Sequence, residues 1–162
     1  MRAAVALGLA LAVLTTPARP QAVWKPDPFF GNWALDGAES QYAQAAPPAQ
    51  MTLVIEPAQE GLAYRSETHY VGGRVASSQF IARLDDTPAL VVGTTGFLAP
   101  VSLAPSGDGG INAVYKSGVK KVAWSHWSVS ATGDELVITT TYLGARGEEK
   151  RNVALFRRTN TR

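Results

Sequence analysis

Residues 29–36 read FFGNWALD, from Phe29 to Asp36: two aromatics, a glycine, and a tryptophan that begins an alternating run. Alternation of apolar and polar side chains marks a strand with one buried face. Glycine just ahead of it lets the chain bend sharply where other residues resist. The stretch reads as the first strand of a sheet, and the rest of the chain agrees with it.

Downstream, MTLVIE (Met51–Glu56) is rich in strand-forming residues and is stopped by Pro57 and a turn ending at Gly61. LAYRSETHY then places Leu62, Tyr64, Ser66, Thr68 and Tyr70 on one face and Ala63, Arg65, Glu67 and His69 on the other. Gly72-Gly73 is a hairpin signal, and VASSQFIARL (Val75–Leu84) follows, ended by Asp85-Asp86. ALVVGT, FLAPVSL, INAVYK, VKKVAWSHWSVSA, ELVITTTYL and KRNVALFRR complete the series. They are separated by turn-formers, including PSGDGG, Ser117-Gly118, Thr132-Gly133-Asp134 and GARGEE. The count comes to about eight to ten strands joined by hairpin-type turns, with little helix. Pro47-Pro48 limits the Ala-rich stretch after the first strand to one helical turn.

Successive antiparallel strands leave exposed edges unless the sheet closes on itself. The pattern therefore predicts an all-β, single up-and-down antiparallel barrel. An immunoglobulin-type sandwich is the rival, but it needs long crossover connections where this chain has local hairpins. The long strand from Val119 to Ala131 suits a tilted barrel strand.

With Gly-x-Trp at the first strand and LFRR in the last, the chain resembles the calycin superfamily, the lipocalins and fatty-acid-binding proteins. It is similar in particular to small exported bacterial lipocalin-like proteins, through GNWAL, AAPPAQ, VITTTY and RNVALF. The resemblance implies that Gly31 and Trp33 close one barrel end, with Arg157 or Arg158 lying over the indole. A guanidinium over an indole face is a favourable cation–π contact on physical grounds alone. The loop after the first strand is too short for the two-helix cover of fatty-acid-binding proteins, and no ligand-capturing arginine–tyrosine set can be matched.

On this alternation Tyr64, Tyr70, Phe80, Phe97, Tyr115 and Tyr142 are the candidate cavity wall, mixed with Leu62, Leu136 and Ile138. Small strand residues (Ala76, Ser78, Ala82, Ala113 and Ala123) cannot fill a barrel alone, which favours a cavity for one small molecule. The bland alternative is a barrel filled by its own aromatics. In WSHWS, Trp124 and His126 share one face, Trp127 and Ser125 the other. One indole must face outward, so Trp124, His126 and Trp127 are candidates for a surface contact with a protein partner.

Catalysis has little support. His69 and His126 are the only neutral-pH bases, and neither a serine elbow nor a histidine pair with metal spacing exists. Asp85-Asp86 and Glu148-Glu149 read as turn and solubility residues. SGDGG lacks the lysine and helix of a phosphate loop. No catalytic residue, metal or cofactor is implied.

Upstream of the opening stretch, Arg2 precedes an apolar run from Ala3 to Leu14, then TTPARPQA. A charged start, a short apolar centre and small residues at a cutting point describe a secretory signal, too short to span a bilayer. Cleavage is expected after Ala18, or alternatively after Ala22. The expected organisation is a leader over 1–18, an extension over 19–28, the barrel over 29–158 and a tail over 159–162. Roughly 140 residues then remain, one ordinary domain. With no cysteine in the chain, a periplasmic or secreted location without disulfides fits best. A formal charge of +2, scattered rather than striped, argues against nucleic acid. The expected function is an exported protein, not an enzyme, that holds or carries a small apolar ligand. The alternative is a structural or protein-interaction module with a filled barrel.

Overall fold

Strands alternate their side chains across a sheet, so a chain in which every other residue is apolar builds a curved surface with one dry face. The computed structural model describes residues 24–44, 46–94 and 98–159. The expected leader with both cutting points, and Phe97, lie outside them. A single 3-10 turn, Asp27–Phe29, leads into eleven strands. These are β1 (Gly31–Leu35), β2 (Gln50–Ala58), β3 (Gly61–His69), β4 (Val75–Arg83), β5 (Pro88–Ala89) and β6 (Val92–Gly93). They continue as β7 (Val101–Pro105), β8 (Ile111–Ser117), β9 (Lys120–Val129), β10 (Glu135–Leu143) and β11 (Glu149–Thr159). No α-helix occurs among the described residues.

All eleven join one antiparallel sheet in the order β5-β7-β8-β9-β10-β11-β1-β2-β3-β4-β6. First and last strands meet: Trp33 stands opposite Arg158 and Leu35 opposite Phe156. The two ends of the order, β5 and β6, belong to one stretch, residues 88–93. Pro88 and Ala89 pair with Ser102 and Val101 of β7, while Val92 and Gly93 pair with Gln79 and Ser78 of β4. The ring is thus completed through a strap that changes neighbour halfway along. This is an up-and-down calycin-like barrel, and no pair of separate facing sheets is present among the described residues.

Eleven strands stand where eight to ten were expected, because ALVVGT serves two neighbours and is divided into β5 and β6. The strand expected over FLAPVSL begins at Val101, since Pro100 has no N–H to offer a ladder, and runs two residues further, to Pro105. The long strand begins at Lys120, because Gly118 takes φ +60° and leaves Val119 fully exposed at the hairpin tip.

Inward residues form a core at one end of the barrel: Trp33, Leu53, Leu62, Leu103, Leu136 and Phe156 are all essentially out of water. The described part of the β1–β2 connection runs antiparallel beside β11. It is pinned to β11 by reciprocal 2.8 Å bonds between Gln41 and Val153, and by Leu155 N donating to Ser40 Oγ at 3.0 Å. Trp24, in the expected extension, packs on Phe29 with ring centroids 6.4 Å apart, and its Nε1 donates to Gly109 O at 3.2 Å.

Candidate ligand cavity

The closed end is built around Trp33, 1% exposed, whose Nε1 donates to Phe29 O at 3.0 Å. The Arg158 guanidinium lies over this indole, 4.1 Å from the ring centroid. It donates to the carbonyls of Phe30, Gly133 and, at 2.8 Å, Pro28, so most of its donors are held by backbone. Arg157 points outward and forms ion pairs with Asp36 and Glu135. Of the two terminal arginines, the structure therefore puts Arg158 on the indole. Gly31 sits beside it at φ +141°, and a Cβ there would collide with Arg158 Nη1.

Above this floor lies a cavity of about 450 Å³. Its deep wall is aromatic: Tyr64 stacks on Phe80 (4.7 Å, 10°) and meets Trp127 tilted at 5.6 Å. Trp127 Nε1 is buried without a hydrogen-bond partner. Hydroxyls sit on facing walls as satisfied pairs: Ser66 with Ser78 at 2.9 Å, and Ser125 with Thr140 at 3.0 Å. At the far rim Tyr42, Tyr70 and Arg74 join the lining.

Of the residues expected in the wall, Tyr64, Tyr70, Phe80, Tyr115 and Ile138 line the cavity. Leu62 and Leu136 lie in the core, and Phe97 falls outside the described residues. Tyr142 is a correction, because it is absent from the lining. It shares a face with Ile138, but four residues along a strand carry it about 13 Å further, towards the end of β10. Ala76 and Ser78 supply open space in the wall, whereas Ala82, Ala113 and Ala123 are buried elsewhere in the barrel.

Burial shapes the titration of the phenols. Desolvation pushes Tyr64 well up, with the nearby Tyr115 phenol adding to the effect. It pushes Tyr115 to about 12 against a Ser125 hydrogen bond that opposes it. Tyr42 also rises to about 12, through burial first and Tyr70 second. The cavity walls therefore carry neutral hydroxyls at physiological pH.

Trp127 is a second correction. At 1% exposed it belongs to the interior and not to a surface contact. The inward face of β9 is set by Ala123, Ser125 and Trp127, all buried, so Trp124 and His126 take the outer face. There the Lys121 ammonium sits 3.9 Å from the Trp124 ring centroid. His126 is bracketed by Asn112 Oδ1 and Asp108 Oδ2, each at 3.1 Å. His69 pairs with Glu67 at 2.6 Å on the surface. Asp85 is held at about 2 by Thr87 and Arg83, and Lys150 holds Glu148 below its usual range.

Sequence reading missed Thr140, Tyr42, Met51, Asn152 and Arg74 in the lining. Thr140, Met51 and Asn152 were within reach, because they share parity with Leu136 and Ile138, with Leu53 and Ile55, and with Ala154 and Phe156 respectively. Tyr42 and Arg74 come from the β1–β2 connection and the β3–β4 turn, where no period exists to read.

Strand order, the indole–guanidinium floor and an interior cavity together define a calycin-type β-barrel. The chain matches no protein-family model and no curated protein by sequence. In three dimensions it is similar to the crystal structure of zebrafish ileal bile acid-binding protein complexed with cholic acid. The TM-score is 0.51 at 13% identity, over 82% of this chain and 99% of that one. At that identity the likeness is one of fold.

Proposed function

We propose that this chain is an exported binding protein that holds or carries a small, largely apolar molecule inside its barrel. The carrying observation is the cavity of about 450 Å³, walled by Tyr64, Phe80 and Trp127 and furnished with a few hydroxyls. That volume falls within the usual range of small-molecule sites, roughly 300–1,000 Å³, and the lining has their usual make-up. The similar fold of a protein named for binding bile acid supports the same reading. Export rests on the charged, apolar and small-residue pattern of the first eighteen residues and on the absence of cysteine. Its role is binding rather than catalysis.

The test is titration with N-phenylnaphthylamine, an uncharged dye that brightens in apolar surroundings. Alongside it, protein purified from its own host is examined by native mass spectrometry. Saturable enhancement and a co-purifying mass are expected. Ala76 is buried in the cavity wall, so Ala76→Phe fills the space and is expected to weaken dye binding at least about tenfold while circular dichroism stays that of a sheet. Failure of the wild-type protein to bind the dye, together with a clean apo mass, sinks the reading.

A further inference from the structure

We infer that the ligand is an amphiphile with one anionic group, bound with its apolar body on the aromatic floor and its anion at the rim against Arg74. This rests on the cavity reading above and adds to it the chemistry and orientation of the occupant.

Arg74 is the only charged side chain among the residues lining the cavity. It closes the β3–β4 turn, whose shape is fixed by Tyr70 N donating to Arg74 O at 2.9 Å and Gly73 N donating to Tyr70 O at 3.1 Å. Its guanidinium lies over the Tyr70 ring, 4.1 Å from the centroid. Ring contact holds the group in place by its face and leaves the edge donors directed elsewhere. Arg65, Arg83 and Arg157 are each tied to Glu or Asp, and Arg158 to backbone carbonyls. Arg74 forms no ion pair with any described carboxylate. A positioned, acid-free guanidinium on the edge of an apolar cavity is a receptor for carboxylate, sulfonate or phosphate.

Depth gives the orientation. The wall at Tyr64, Phe80 and Trp127 offers rings and one unpartnered neutral donor, Trp127 Nε1, while its nearby hydroxyls are already paired with one another. No cation lines that depth, and an anion buried there without a partner costs several kcal/mol. From the Tyr64–Phe80 pair to the Thr68–Ala76 pair is four residues of ladder, about 13 Å. An apolar body of about that length reaches the floor while its acidic end stays at Arg74.

The experiment displaces N-phenylnaphthylamine from the full chain at neutral pH with decanoate, decyl phosphate and the uncharged decanol. Expected is displacement by at least one anion at about fivefold or more lower concentration than the alcohol, shrinking as salt is added. The stronger anion names the head group, carboxylate or phosphate. Arg74→Gln is expected to abolish the preference for anion over alcohol, with an unchanged melting temperature showing that the fold is kept. Arg151→Gln removes a like charge from an exposed site outside the lining and is expected to leave the preference intact. Equal displacement by anions and alcohol, or a preference that survives Arg74→Gln, overturns the inference while the cavity stands. No dye binding at all defeats the cavity reading itself.

Discussion

At the scale of single residues, the closed end concentrates the strongest demands in the molecule. Gly31 has φ +141° and sits against the guanidinium, so Gly31→Ala meets backbone strain and collision together. It is expected to cost at least about 2 kcal/mol in urea unfolding. Arg158→Met removes a cation–π contact and three bonds to carbonyls, leaving those acceptors unpaired in a partly dry place. Arg157→Met loses only exposed ion pairs, worth about 0–1 kcal/mol. The Arg158 variant is therefore expected to lose at least about 2 kcal/mol and the Arg157 variant less than half of that. Equal losses refute this account of the floor. Which arginine faces inward was not legible in the sequence. Val153 and Leu155 share the parity of Arg157 just as Ala154 and Phe156 share that of Arg158, and it is the burial of Ala154 and Phe156 in the folded barrel that separates the two.

At the scale of elements, the strap at residues 88–93 stands apart. Long ladders such as β2–β3 and β3–β4 run over nine residue pairs, whereas the strap holds β7 and β4 by two pairs each. Val91 is 6% exposed and lines the cavity, while its neighbour Leu90 is 70% exposed. Short ladders open locally at low cost. Backbone amides of the strap are expected to exchange with solvent at least about a hundredfold faster than those of β2 and β3 under native conditions. Protection equal to that of β3 would show that the strap closes the barrel as firmly as a full strand. Strand periods and glycine turns told of the long hairpins, because those signals are local. The division of ALVVGT was not legible, since a partner change leaves each residue's alternation intact. The β1–β2 connection was equally opaque: Gln41 and Ser40 are ordinary loop residues until β11 comes alongside.

At the scale of the whole molecule, whether the barrel is hollow depends on what faces what across it. Alternation named Tyr64, Phe80 and Tyr115 as inward, but the same alternation is compatible with a filled interior. Space arises because Ala76, Ser78 and Ala154 line the same cavity as these rings. A dry hollow of this kind leaves a signature in alkali. In the unfolded chain a phenol ionises at about pH 10. In the folded chain desolvation holds Tyr42 and Tyr115 protonated until about 12, and pushes Tyr64 up as well. Below about pH 10 these phenols are neutral in both states, and their contribution to stability is fully present. Above it the unfolded state gives up protons first and binds fewer than the folded one, so stability falls as pH rises through about 10 to 12. The buried Tyr64 phenol adds at most about 1.4 kcal/mol per pH unit to the slope, and the partly exposed Tyr42 and Tyr115 each add less. Denaturant midpoints are expected to decline across that window, and to decline less in Tyr64→Phe. Difference absorbance of tyrosinate should show part of the tyrosine content titrating late. Midpoints that stay level while every tyrosine titrates near about pH 10 would mean that water reaches the phenols freely. The interior would then be a wet cleft, in which an apolar body gains little by burial.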